Sequence, residues 1–370
     1  MNAQNNTADA ELRIGWATED ITPSDPVSLY GQYYERISLY VQSALTITAC
    51  AIEKKDAAGN AEQAITVSMD VIYALKEVQD AVRERVKDKL PGFDVRKLFL
   101  NATHTHSAPY PEVGGTFGQL LLDGICKAVI TAWLNKKSAA VSTAFDYAVI
   151  GHNRRVMYAD GTAEMYGQTD RPDFLAIEGP SDPGIDLLFT WDMDKQLTGI
   201  FINVSCPAQV TESKYYVSSD FWSEVRKQVA ARFGRNVFIL PQCGAAGDIA
   251  PRDLTTRYRA GEPDMWDVPG IIEIGKRIDQ VIGNVYAAAL DNMTTDIVFR
   301  HEVKNIQIPT RIISEEEYAR SLKIVHAIKA KEPADPASPN TAWNRFLQEM
   351  KENEKTQPYG PWDSKTSDYG

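Results

Sequence analysis

Apolar and polar positions along the chain change period several times, and each change marks an element. Two apolar runs, residues 44–53 and 64–69, flank the polar stretch Lys54-Lys55-Asp56-Ala57-Ala58-Gly59-Asn60, which predicts a β-hairpin. The period then lengthens. Leu75, Val78, Val82, Val86 and Leu90 recur at steps of three and four with Glu, Lys and Arg between them, so a one-faced helix follows. Leu98-Phe99-Leu100 is too short for a helix and predicts a buried strand running into the polar loop Asn101-Ala102-Thr103-His104-Thr105-His106.

Leu121, Ile125, Val129 and Trp133 predict a second helix over 119–136. Residues 141–150 read as a strand ending at Gly151-His152-Asn153-Arg154-Arg155. Two further strands are expected at 185–191 and 199–205, the second stopped by Cys206-Pro207. Phe221, Val225, Val229 and Phe233 share one face of a helix over 220–233, with Ser219 or Asp220 to cap it and Gly234 to end it. A strand at 237–240, a long helix through Ile271, Ile274, Ile278, Val281 and Val285, and a strand at 295–308 complete the pattern. Strands alternating with helices predict an α/β fold, a mixed β-sheet core with flanking helices.

At 370 residues the chain is long enough for a large core. Its 39 Lys and Arg against 50 Asp and Glu leave a charge of -11, which argues against a nucleic-acid partner because phosphate binding needs a basic face. No apolar run is expected to reach the roughly 20 residues of a membrane-spanning helix, and the first eleven residues lack the segments of a secretion signal. Four cysteines (Cys50, Cys126, Cys206, Cys243) without Cys-x-x-Cys spacing argue against a zinc ribbon or a disulfide scaffold.

Ligands of α/β sheets collect beyond the carboxyl ends of strands. His104 and His106, Asn153 and Arg154, Cys206, and the run Cys243 to Asp248 fall there, on four predicted strands, which points to one shared site. Residues two apart in extended backbone face the same side, so the two imidazoles can share a cleft and bind a metal; the alternative is a pair satisfied by backbone groups. The Arg154 fork suits a carboxylate or a developing oxyanion, or else a structural ion pair. Gly244 and Gly247 permit close backbone approach to a ligand, with Asp248 holding the loop or a metal. Cys206 and Cys243 admit three readings: small buried apolar residues, a thiolate ligand or nucleophile, or a disulfide. His301 and His326 read as ordinary residues of a strand and a charged helix.

Four segments in order resemble the catalytic domain of the neutral ceramidases over residues 12–255. They are Asp20-Ile21-Thr22-Pro23, Asn101-Ala102-Thr103-His104-Thr105-His106-Ser107, His152-Asn153-Arg154-Arg155, and Gln242 followed by Ala246-Gly247-Asp248-Ile249-Ala250-Pro251. The resemblance implies a zinc-dependent amidase that cleaves the N-acyl bond of ceramide. It implies His104 as a Zn2+ ligand, His106 in the substrate pocket and Arg154 on the scissile amide, with Asn153, Cys243, Gly244 and Asp248 around the substrate. Cys206 stands where the family has a second histidine ligand; as a thiolate it would make the ion a poorer Lewis acid. Cys243 replaces a serine in a segment one residue longer. Nothing after residue 308 matches the segments that carry the family's glutamate and tyrosine ligands.

The expected organisation is a polar tail over 1–11, a ceramidase-like catalytic domain over 12–310, and a helical extension over 311–370 that loses its apolar period from residue 355. The expected function is metal-dependent hydrolysis of an N-acyl amide in a lipid or lipid-like small molecule, outside the cytoplasm as the family implies. A catalytically silent ligand-binding relative, or a hydrolase of an acylated sugar, is the alternative.

Overall fold

The computed structural model describes residues 11–32, 34–56, 58–255, 265–309, 311–338, 341 and 344. Eight strands form one mixed sheet: β1 (Leu12–Asp20), β2 (Thr46–Lys55), β3 (Ala61–Met69), β4 (Leu98–Ala102), β5 (Lys137–Tyr147), β6 (Gly184–Asp192), β7 (Leu197–Val204) and β8 (Phe238–Cys243). Their order is β8-β7-β6-β5-β1-β2-β3-β4. The pairs β3–β4 and β7–β8 are parallel, the others antiparallel. Four helices cover the sheet: α1 (Lys76–Val86), α2 (Gly115–Leu134), α3 (Phe221–Phe233) and α4 (Asp267–Asp291).

The sheet bends at its middle. β1 and β5 are joined by two residue pairs alone, Arg13 with Ser138 and Ile14 with Lys137. Four strand spacings separate β1 from β8, about 19 Å in a flat sheet. Yet the Trp16 ring of β1 lies 5.7 Å from Phe238 of β8 and 5.2 Å from Phe201 of β7. The two four-stranded halves therefore face each other.

Alternation then assigns each face. Leu12, Ile14 and Trp16 of β1 join Cys50, Val141, Phe201 and Leu240 in a layer between the halves. On the far side of one half, Ile47, Ala49 and Ala51 pack with Leu121, Ile125 and Val129 of α2. On the far side of the other, Phe189, Trp191 and Ile200 pack with Val225 of α3 and Ile274 of α4. The layers run helix, sheet, sheet, helix, as the α/β expectation requires.

The hairpin and the helix and strand positions are as expected, with ends shifted by a few residues. Three expectations are corrected. Residues 295–308 are no strand: beyond a single bridge from Thr294 to Val141 they pair with nothing in the sheet, and Val298 is fully exposed. The segment meets the sheet edge through side chains, with His301 Nδ1 3.3 Å from the Gln63 carbonyl and Ile297 against the inner layer, but without a backbone ladder. Strand β1 is an addition, although Leu12, Ile14 and Trp16 carry its period. The helix α2 is 20 residues long and by length and composition apolar enough to cross a membrane, contrary to the expectation that no such run occurs. Its buried positions, Leu121, Leu122, Ile125, Ala128, Val129 and Ala132, are the core face of a packed helix.

One compact unit reaches Glu302 and a second begins at Val303. The described element of the second is α5 (Glu315–Lys329), where His326 is exposed. The polar tail over 1–10 and the stretch from 355 lie outside the described residues.

Gly15 fixes how closely α2 approaches β1. A Cβ there would sit 2.0 Å from the Ala132 carbonyl oxygen. Gly15→Ala is expected to lower unfolding free energy by about 1–3 kcal/mol, through overpacking, in a urea titration.

Candidate functional site

The histidine loop begins where β4 ends. Thr103 and His104 extend the pairing beyond the strand, their amides donating to the carbonyls of Met69 and Val71. His104 then turns the chain with φ of 63°, a conformation uncommon outside glycine. Its Nδ1 lies 2.9 Å from the Ile72 carbonyl, an acceptor, so Nδ1 carries the hydrogen and Nε2 keeps its lone pair. The His104 ring is 5.0 Å from that of His106 and 5.9 Å from that of Tyr73. The two imidazoles thus share one place, as their spacing predicts.

Buried polar groups hold this loop. Arg36, wholly buried, donates to the carbonyls of His106 (2.6 Å), Lys214 (2.7 Å) and Tyr30 (3.0 Å). Burial pulls its pKa down to about 10. Thr105 donates its hydroxyl to the Ser218 carbonyl, and the Ser107 and Thr211 hydroxyls meet at 2.8 Å. Thr211 in turn donates its amide and hydroxyl to Asp220, which also accepts the amide of Phe221 and so caps α3. The capping role expected of Asp220 is present and extends into the site. Burial raises its pKa to about 6.

His106 is 7% exposed. Its Nε2 lies 2.8 Å from the Gln209 amide nitrogen, which assigns Nε2 as acceptor, and its Nδ1 is 3.8 Å from the Glu212 carboxylate. Gly31, at φ of 110°, lies against the ring; a Cβ there would come within 2.5 Å of it. Burial lowers the His106 pKa to about 3, with His104, Arg36 and Arg154 acting the same way. His106 therefore stays neutral. Burial also lowers the His104 pKa.

Glu212 completes the cluster. Burial raises its pKa to about 7, opposed by the Tyr166 hydroxyl and the Arg154 and Arg36 guanidiniums. Tyr166, whose phenol is pushed up to about 12 by burial, has a φ of 56° and donates its amide to the Arg154 carbonyl.

Arg154 donates its side chain to the Gly247 carbonyl at 2.8 Å and its amide to that of Asp248. It is half-buried, and its charge reaches both histidines. Asn153 is buried behind it, its amide nitrogen 2.8 Å from the Asp248 carboxylate and its oxygen accepting from the Arg155 amide. Asn153 and Asp248 thus fasten two loops that aim Arg154.

The cysteine segments go elsewhere. Cys206 is fully buried in the apolar layer beneath α3 and α4, its thiol donating to the Ile150 carbonyl, and burial raises its pKa well above the usual thiol value. Cys243 is a free thiol with its pKa raised to about 11 by burial, and the Gly244 amide donates to the Val204 carbonyl. No disulfide joins Cys206 and Cys243. His301 sits edge-on to Phe99, away from the cluster.

The structure therefore gathers His104, His106 and Arg154, sets Asn153 and Asp248 behind Arg154, and leaves Cys206 in the core. Sequence reasoning missed Arg36, Gln209, Glu212 and Tyr166. They lie in stretches without an apolar period, where a lone Arg or Glu reads as a solvated side chain. A zinc site needs about three protein ligands. Among the described residues no three His, Cys, Asp or Glu side chains come together to hold an ion. The donors present, with His106 bonded to Gln209 and Cys206 in the core, do not fit one.

No protein-family model matches the chain, and no curated protein matches it by sequence. Similar solved structures include two ceramidases. One is the crystal structure of neutral ceramidase from Pseudomonas aeruginosa, with a TM-score of 0.62 at 19% identity over 77% of this chain and 46% of that one. The other is a ceramidase in complex with C2, with a TM-score of 0.61 at 20% identity over 77% of this chain and 45% of that one. This chain spans less than half the length of either. Its fold is ceramidase-like.

Arg36→Met would leave three carbonyls without their donor. Unfolding free energy is expected to fall by about 3 kcal/mol or more in a denaturant titration. Glu212 gives a pH signature. Its folded pKa of about 7 is above the ordinary 4.5, so its contribution is present below pH 4.5 and is lost as pH rises to 7. Over that window the native chain should lose stability relative to Glu212→Gln, by at most about 1.4 kcal/mol per pH unit. His106 acts oppositely. Its folded pKa of about 3 makes stability present above pH 6.5 and lost as pH falls toward 3.

Proposed function

We propose that the chain is a hydrolase that cleaves an N-acyl amide bond in a lipid-like small molecule. The observation that carries this reading is the tethered His104: its Nδ1 is bound to the Ile72 carbonyl, and its ring lies 5.0 Å from that of His106, in a cluster that also holds Arg154 and Glu212. The ceramidase-like fold supports it.

In this reading a water attacks the amide carbonyl. The His104 Nε2 takes the water's proton, and the Arg154 guanidinium stabilises the oxyanion as charge develops. Glu212, with a pKa near 7, exists in both protonation states at neutral pH; its protonated form gives its proton to the leaving nitrogen as the C–N bond breaks, and the proton taken by His104 then passes back to the Glu212 carboxylate through solvent. His106, buried and neutral, positions the His104 ring. The zinc that the resemblance implies enters no step, because the described donors do not assemble a site for it. The approach to His104 is aromatic. Tyr73 borders it, and Tyr30 lies 6.1 Å from Tyr73 and 4.6 Å from Tyr110, all three partly exposed. Such a wall suits an apolar chain.

The test is release of fatty acid from labelled N-acyl lipids, compared with N-acyl sugars. His104→Ala and Arg154→Ala should each lower kcat/KM at least about 100-fold, while Cys206→Ala should change it by less than about threefold. No release from any acylated substrate, with ligand binding intact, would favour a silent relative. One zinc per chain by elemental analysis, lost in His104→Ala, would move water activation to the ion.

A further inference from the structure

A second candidate site lies at the other end of β8. A cavity of about 640 Å3 opens where β1, β2 and the start of β8 meet the end of α3, bounded by Thr18, Thr48, Arg226, Lys227, Arg235 and Phe238. Every charged side chain in its wall is a cation, in a chain whose net charge is -11. Arg226 is neutralised by the buried Asp70 at 2.9 Å, and Lys227 is 3.8 Å from Glu224 with 58% of its side chain exposed. Arg235 has no carboxylate partner among the described residues. The rest of the lining includes apolar side chains: Phe238, stacked on Trp16, with Ala230, Ala231 and Val237.

The wall between the sheet halves turns polar here. Thr18 of β1, Thr48 of β2, Ser68 of β3 and Asn101 of β4 stand side by side across four strands. Residues directly paired across strands share a face, so this is one row on the inner surface. The Thr18 and Thr48 hydroxyls meet at 3.0 Å. Ser68, next in the row, is 2% exposed, and its hydroxyl has no hydrogen-bond partner among the described residues. Buried hydroxyls in an otherwise apolar layer call for a bound polar group or water.

We infer that this cavity binds an organic anion, a carboxylate or phosphate monoester on an apolar body. The headgroup lies against Arg235, Lys227 and the Thr18–Thr48 hydroxyls, and the body lies over Phe238. Volume agrees, since small-molecule sites occupy about 300–1,000 Å3 and combine an apolar lining with a few fixed polar groups. Thr18 stands three strand spacings, about 14 Å, from Asn101 near the end of β4, from which the histidine loop leaves. The site is thus separate from the histidine cluster and does not rest on the proposed hydrolysis.

Calorimetric titration of the full chain with decanoate, decyl phosphate, decanol and inorganic phosphate tests it. At least one amphiphilic anion is expected to bind about tenfold or more tighter than decanol and inorganic phosphate. Arg235→Glu with Lys227→Glu should weaken that binding about tenfold or more, with the circular dichroism spectrum unchanged; Arg235→Gln, a milder change, should weaken it less. Binding of decanoate alone or of decyl phosphate alone supports the site and names its headgroup. No binding of either anion, equal affinity for decanol or for inorganic phosphate, or binding indifferent to both charge variants would overturn it.

Discussion

A buried positive charge bonded to backbone carbonyls organises the centre of this molecule. Arg36 is wholly enclosed, and the acceptors of its donated hydrogen bonds are three backbone carbonyls, from Tyr30, His106 and Lys214. A desolvated guanidinium is costly unless its donors are met, so these three segments have to converge on it. Their convergence puts the histidine loop, the segment after β1 and the approach to α3 in one register. Asp220 does the matching work for donors, accepting from Thr211 and Phe221. One cation gathering carbonyls and one acid gathering amides and a hydroxyl make a floor from loops and short two-residue strands.

That floor explains the unusual backbone above it. His104, Tyr166 and Asp220 all take positive φ, a cost for side-chain-bearing residues that surrounding bonds must offset. Each has them: His104 through Ile72, Tyr166 through the Arg154 carbonyl, Asp220 through Thr211 and Phe221. Strained residues concentrated around two histidines and an arginine are what a site for chemistry requires, because reacting groups must be held in geometries that folding alone would not choose.

The layers of the fold were largely legible in the chain, since burial imposes a period that a sequence displays. Val78, Val82 and Val86 all turn inward, as do Phe221, Val225 and Val229. The site was legible only in part. His104 and His106 stand out because histidine is rare here and the pair follows a strand, and Arg154 because it ends another. Arg36 and Glu212 do not stand out, for their role comes from desolvation by distant segments, which no local window contains. Cys206 was misleading for the same reason. The resemblance implied a ligand there, but α3 and α4 close over it, and of the three readings its residue type allowed the small buried core residue is the one found.

Desolvation also sets the proton arrangement at the site. It drives His106 down and Glu212 up, so that near neutrality the histidine is uncharged and the carboxyl is divided between its two forms. The positive charges beside them are the guanidiniums of Arg154 and Arg36. A cluster of this kind has one mobile proton on an acid poised to exchange it, lone pairs on neutral imidazole, and guanidinium charge beside them. Negative charge developing on a bound carbonyl oxygen would therefore meet a standing complementary field, without waiting for any group of the cluster to ionise first.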